Sequence, residues 1–212
     1  MKRIEHTIKN SLDQQKICIV IYIDLKSAFD SVWTNGLIYK LINMGIRGKL
    51  LKILSSFLQN RTMQVLIQGV ESQVHTVEAG TPQGAVLSPI LFNIMTHDIP
   101  QREGLDVHIY ADDITITCTG STIPELRSKV QSYLDIFQTW TEDWGFQVNP
   151  QKSVVQFFSK KRNISCPVLR LKGNIFSYKK EHRLLGLILD SPRLSWKPHI
   201  DMLVSDCQRK II

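Results

Sequence analysis

Apolar residues recur at helical intervals at the start of the chain, where Ile4, Ile8 and Leu12 share one face of residues 3–15. The pattern then changes to ICIVIYI, residues 17–23. A run of β-branched and aromatic residues with so little polarity predicts a strand covered on both faces, ending at Asp24. Helical spacing returns over 36–44 and 49–59, separated by Gly45 and Gly48, residues that commonly end helices. TMQVLIQG and QVHTVEAG predict paired strands that turn near Gly69 and Val70.

AVLSPILFNIMTHDI predicts a helix with Pro89 in its first turn and with Leu87, Ile90, Leu91 and Ile94 on its core face. Residues 105–119 predict a hairpin with Asp112 and Asp113 near its tip, and residues 124–144 an amphipathic helix ended by Gly145. From Val148 on, short strands with a turn signal at Gly173-Asn174 precede a final helix that begins near Pro198. Strands and helices alternate without a regular βαβ rhythm. The fold class this implies is α+β, an antiparallel sheet with helices packed on one face.

Composition narrows the picture. A chain of 212 residues, 43% hydrophobic and 21% charged, suits one main globular domain rather than disorder. No apolar run approaches the roughly 20 residues of a membrane helix, and MKRIEHTIKN lacks the apolar segment of a signal peptide. The chain therefore reads as intracellular, with nucleus and cytoplasm undistinguished; KKR at 160–162 is too short to read as an import signal. Its four cysteines and six histidines are scattered and form no zinc-ligand spacing, so a metal here would need oxygen ligands. The net charge is +7, and the last third holds all the excess: residues 152–212 have 13 Lys or Arg against 4 Asp or Glu. Such a surface is either simply solvated or turned toward a polyanion such as nucleic acid.

The candidate chemistry lies in carboxylates. Asp24 closes an apolar strand, and Asp112-Asp113 sit where another strand turns. If the two strands are neighbours, three carboxylates converge at one end of a sheet. Divalent cations would neutralise them, and two such ions about 3.5 to 4 Å apart are suited to in-line phosphoryl displacement. An Asp pair in a turn also caps backbone N–H groups without any catalytic role.

DLKSAFDSVW (24–33), GTPQGAVLSPILFNI (80–94), YADD (110–113), WGFQVNPQKS (144–153) and HRLLGLIL (182–189) follow one another in the order of reverse transcriptase motifs A to E. The wording resembles the non-LTR (LINE-type) retrotransposon branch, and the likeness runs from about residue 17 to the C-terminus. The resemblance implies a right-hand polymerase palm over 17–190, the tail of a fingers region over 1–16 and the start of a thumb over 191–212. It implies that Asp24 and Asp112, completed by Asp113, ligate two Mg²⁺ ions, with Mn²⁺ a possible substitute. Phe29 matches the bulky residue beneath the sugar of the incoming nucleotide; a core aromatic beside Ala28 is the alternative. Gln83 and Gly84 match the turn that touches nucleotide and template, where Gly80 and Gly84 allow close backbone approach. Lys152 matches the lysine that gives a proton or positive charge to the departing pyrophosphate, and 182–189 the hairpin that holds the primer end. Trp140 and Trp144, four apart on one helix, fit core packing better than base stacking.

The implied activity is RNA-directed DNA synthesis with an RNA template, a DNA primer and deoxynucleoside triphosphates as partners. The little chain before the strand and the stop soon after LSWKPHIDML predict a palm with stubs, binding Mg²⁺ and nucleic acid weakly and polymerising poorly or not at all. Two rivals stand beside this reading, a catalytically inactive nucleic-acid-binding remnant and a group II intron-type maturase. RNA-dependent RNA polymerases share the metal geometry but not the Phe29 position or the motif D wording.

Overall fold

A computed structural model describes residues 1–161 and 164–211; Arg162 of the KKR run and Ile212 lie outside the described residues. In chain order the elements begin with α1 (Lys2–Asp13), β1 (Ile17–Asp24), α2 (Thr34–Asn43) and α3 (Gly48–Leu58). Four short strands follow, β2 (Arg61–Met63), β3 (Leu66–Ile67), β4 (Val70–Glu71) and β5 (His75–Val77), and then α4 (Ser88–Thr96). The hairpin β6 (Leu105–Tyr110) and β7 (Asp113–Gly120) precedes α5 (Ile123–Asp143) and β8 (Val154–Phe158). The chain continues through β9 (Arg170–Leu171), β10 (Asn174–Ile175), β11 (Ser177–Tyr178), β12 (Glu181–Leu184), β13 (Leu187–Asp190) and α6 (Lys197–Ile211).

The chain divides into two compact units, one of residues 1–24, 101–138 and 149–212, the other of 25–100 and 139–148. The first is built on a five-stranded sheet in the order β11-β8-β1-β7-β6. All its pairings are antiparallel except β11 with β8. Strand β1 is central because it can be: it has no charged residue before Asp24, and Ile17 to Ile23 are all buried. Its even positions Cys18, Val20 and Tyr22 join Ile4, Ile8 and Leu12 of α1, Val154 and Phe158 of β8, and Leu184 and Leu189 of the β12–β13 hairpin in one apolar layer. Its odd positions Ile17, Ile19, Ile21 and Ile23 are equally buried, as the unbroken apolar run requires. A fully buried side chain of this size is worth about 1.5–3 kcal/mol. The layer therefore fixes the end of β1, and with it Asp24.

In the second unit α2 packs on α3 and on α4. The predicted pairing between residues 61 and 78 is there, but in two pieces, β2 with β5 and β3 with β4, and the inner turn falls at Gln68-Gly69, one residue early. Helix α4 starts at Ser88, after the Ala85–Leu87 stretch that the apolar run made look helical. Its buried residues are Ser88, Leu91, Phe92, Met95 and Thr96. Of the predicted core face only Leu91 is buried; Leu87 and Ile90 are exposed. AVLSPILFNIM is apolar around most of its circumference, so two stripes compete and packing selects one. Among the described residues no helix is long and apolar enough to cross a membrane.

Candidate active site

Asp24 is the last residue of β1, and its backbone is held from both sides. Its N–H donates to Ser153 Oγ at 3.1 Å, and its carbonyl accepts from Asn149 N–H at 2.8 Å. Asp113 opens β7 directly opposite, in the register pair Asp24↔Asp113. Opposed residues of an antiparallel pair share a face, with Cβ atoms roughly 5 Å apart. Asp112 lies in the two-residue link closed by the Tyr110↔Asp113 pair, next to Ala111 at φ 53. A left-handed alanine costs roughly 1–2 kcal/mol, and it is what allows so tight a turn at the tip of the hairpin.

The structure thus brings Asp24, Asp112 and Asp113 to one end of one sheet, and the electrostatics record it. The Asp113 carboxyl is held above the usual carboxylate range, by partial burial first and then by the charges of Asp112 and Asp24. Among the described residues no three His, Cys, Asp or Glu side chains are gathered closely enough to hold an ion by themselves. A hard cation that keeps water and phosphate among its ligands needs only one or two carboxylates, and this all-oxygen set of mutually repelling charges fits such an ion.

Asp24 and Asp113 line a pocket with Lys152, Lys179, His182 and Arg183. Asp112 and Asp113 are both exposed, and only Asp113 is part of that lining. Two carboxylates and three cations thus share one lining with uncharged residues such as Thr115 and Gln151, a combination suited to metal-bound phosphates. His182 packs against Tyr22 with ring centroids 4.0 Å apart and planes tilted by 32°, and burial with help from Lys179 pushes its imidazole down to about 4. It is neutral at physiological pH. Lys152, a lone lysine in the sequence, takes a place in this lining. Arg183 lies within the motif E stretch 182–189, though that motif was not read for its cation, whereas Lys179 had only the basic excess of the last third as a sequence signal.

Phe29, Gln83 and Gly84 belong to the second unit, where they line one open pocket with Ala85, Ser88 and Pro89. Phe29 is half-buried and stacks on Phe92 at 4.6 Å, so it is anchored in the core and still presents an edge to the pocket. Gln83 Nε2 donates to Asp30 Oδ1 at 2.7 Å, a partner the motif reading did not single out. The loop before α4 is tied to the segment after β1 by Gly80 N–H to Val32 O at 2.8 Å and Thr81 N–H to Phe29 O at 2.9 Å. Gly80, at φ +86, lies so close to Asp30 that a Cβ would come within 2.8 Å of its backbone. Gly84 also has positive φ but no close neighbour, so its glycine answers to conformation alone. Trp140 is buried, and its indole N–H donates to Asp98 at 3.0 Å, a packing role.

Solved structures with this arrangement include telomerase from Candida tropicalis in complex with a fragment of telomeric RNA, with a TM-score of 0.64 at 15% identity over 92% of this chain and 32% of that one. Telomerase from Candida albicans gives 0.61 at 15% identity over 92% of this chain and 33% of that one. The likeness assigns the fold, an α+β polymerase palm. Residues 1–189 match the reverse transcriptase (RNA-dependent DNA polymerase) family, and the chain belongs to that family. Among curated relatives, the RNA-directed DNA polymerase from mobile element jockey is 31% identical in Drosophila funebris and 29% in Drosophila melanogaster, each over all of this chain. A probable RNA-directed DNA polymerase from transposon BS of Drosophila melanogaster is 30% identical over 99% of it. These relatives belong to the non-LTR retrotransposon branch that the motif wording resembles. The chain spans 24% of the length of each. Members of the family generally use divalent metal ions.

Proposed function

We propose that this chain supplies the catalytic palm of an RNA-directed DNA polymerase of the non-LTR retrotransposon type. The observation that supports it best is the Asp24–Asp113 pair, with Asp112 next to it in the chain, in one pocket with Lys152, Lys179 and Arg183. In this reading residues 17–190 are the palm, 1–16 the tail of the fingers and 191–212 the start of the thumb.

Asp24, Asp112 and Asp113 would hold two Mg²⁺ ions, which when bound supply charge neutralisation at the attacking and leaving oxygens. The 3′-hydroxyl of a DNA primer attacks the α-phosphorus of a deoxynucleoside triphosphate chosen by an RNA template, and pyrophosphate leaves. The protein's share is positioning and electrostatics. Ser153 and Asn149 fix the backbone of Asp24, while Lys152 offers positive charge or a proton to the leaving pyrophosphate, worth about 10² to 10⁴ in rate where such help operates. Phe29, Gln83 and Gly84 are the nucleotide-contacting residues of the second unit, and the Phe29 ring is the element that rejects a 2′-hydroxyl.

Primer extension on an RNA template with a DNA primer, in Mg²⁺ or EDTA, tests the reading beside an Asp112→Asn, Asp113→Asn double variant. The proposal expects synthesis that needs both metal and aspartates, and in Phe29→Val a gain in ribonucleotide use. Nucleic-acid binding without synthesis, indifferent to the double substitution, would instead make the chain a binding remnant.

A further inference from the structure

The β12–β13 hairpin supplies His182 and Arg183 to the pocket, yet it belongs to a two-stranded sheet of its own rather than to the five-stranded one. Something other than ladder hydrogen bonds must set its position. Gln156 is the polar exception that does so. It lies in the middle of β8, opposite Val20, and is wholly buried between the apolar layer of the sheet and the hairpin. Its Oε1 accepts from the Tyr22 hydroxyl at 2.7 Å. Its Nε2 donates to Lys180 O at 3.0 Å and Leu189 O at 2.8 Å, using both amide hydrogens.

The chemistry of this arrangement is directional. The two hairpin carbonyls can only accept, so they hold the NH₂ end of the amide toward the hairpin and leave its oxygen for the Tyr22 hydroxyl. The two carbonyls reached lie on opposite arms, one just before β12 and one in β13. A leucine of similar volume would fill the same space but would leave both carbonyls and the hydroxyl without this partner. The Tyr22 ring, tilted against His182, adds a contact to the β12 arm.

We infer that Gln156 is a positioning residue: it latches the β12–β13 hairpin to the sheet and so sets His182 and Arg183 in the pocket that Asp24 and Asp113 also line. This rests on the proposed polymerase function for its consequence, though not for the latch itself. The test uses the whole chain with Gln156→Leu, which keeps the volume and removes the amide, and Tyr22→Phe, which keeps the ring and removes the hydroxyl. Amide exchange over Glu181–Leu184 and Leu187–Asp190 reads the hairpin, and primer extension separates KM for primer–template from kcat.

Gln156→Leu is expected to speed exchange in the hairpin about tenfold, the size of one or two buried hydrogen bonds, with β1 and β7 unchanged. KM should rise by about as much while kcat stays within roughly twofold, and Tyr22→Phe should move both in the same direction by less. Exchange that quickens equally across the whole sheet with KM unmoved would reduce Gln156 to general packing and overturn the inference, as would no change in the hairpin. If Gln156→Leu does not fold, Tyr22→Phe decides by the same two readouts. If the unsubstituted chain makes no DNA, the polymerase reading fails, while hairpin exchange and duplex affinity still decide the latch.

Discussion

Lys40 in the second unit and Asp113 in the first are both charged groups whose surroundings penalise the charge, and they meet that penalty in opposite ways. Lys40 has a side chain only 3% exposed and is surrounded by partners: Asp98 at 2.5 Å, the Met95 carbonyl at 2.5 Å and the face of Trp144 at 3.5 Å. Burial still pulls its ammonium below the usual lysine range, but the attraction of Asp98 opposes the shift. Asp113 has like charges instead, Asp112 beside it and Asp24 across the ladder, and every cause named for its shift acts in the same direction. Charges that serve the fold are neutralised within it. In the proposed reading the carboxylates where β1 meets β7 leave that neutralisation to a bound cation, which is what would distinguish a site from a structural ion pair.

Substitution at the two places should separate them. The largest effect is expected from Asp24→Asn or Asp113→Asn, which should lower DNA synthesis at least about 10²-fold in primer extension, while the melting temperature of Asp113→Asn holds or rises because a repelled charge is gone. Loss of fold with synthesis retained would invert the contrast. Lys40→Met should do the reverse, costing about 2–4 kcal/mol in denaturant unfolding by leaving Asp98 without its cation. The figure sits below that of a wholly buried pair because the Asp98 side chain is 34% exposed; adding Asp98→Asn should recover part of it.

A third expectation concerns the proposed Mg²⁺. Mg²⁺ at ten times its dissociation constant should stabilise the chain by about 1.4 kcal/mol, seen as a higher melting temperature, and the gain should vanish in the Asp24→Asn, Asp113→Asn variant but persist in Lys40→Met. The smallest effects are in pH dependence. With the Asp113 carboxyl raised in the fold, its contribution is full below its ordinary 3.8 and is lost as pH rises through the raised value. His182 runs the other way: lowered from 6.5 to about 4, it contributes above 6.5 and loses that contribution as pH falls toward 4. Stability curves for Asp113→Asn and His182→Gln should each flatten in their own window, and NMR titration should find His182 neutral down to about pH 4.

Much of this was readable before the structure. The strand ending at Asp24 and the hairpin tipped by Asp112 and Asp113 follow from short local patterns, and both are present. The core face of α4 was misread because a nearly all-apolar segment contains more than one helical stripe. The inner turn of the 61–78 pairing fell one residue from its expected place because Gln68, at φ 50, took a left-handed position that glycine usually fills. Lys179 was visible only as excess charge, since an exposed cation outside any motif shows no periodicity, while Arg183 lay within the motif E stretch 182–189.

The order of five motifs, the all-apolar β1 and the acidic residues at its end were determined by the sequence alone, since each depends on neighbours within a few positions. The tertiary structure decided the pairing of Asp24 with Asp113 across 88 intervening residues, the cations that share their pocket and the buried amide of Gln156 between sheet and hairpin. The physical reason is the range of the forces involved. Backbone sterics and hydrophobic periodicity act along the chain, whereas repulsion between carboxylates and the cost of an unpaired buried amide exist only once distant segments are packed together.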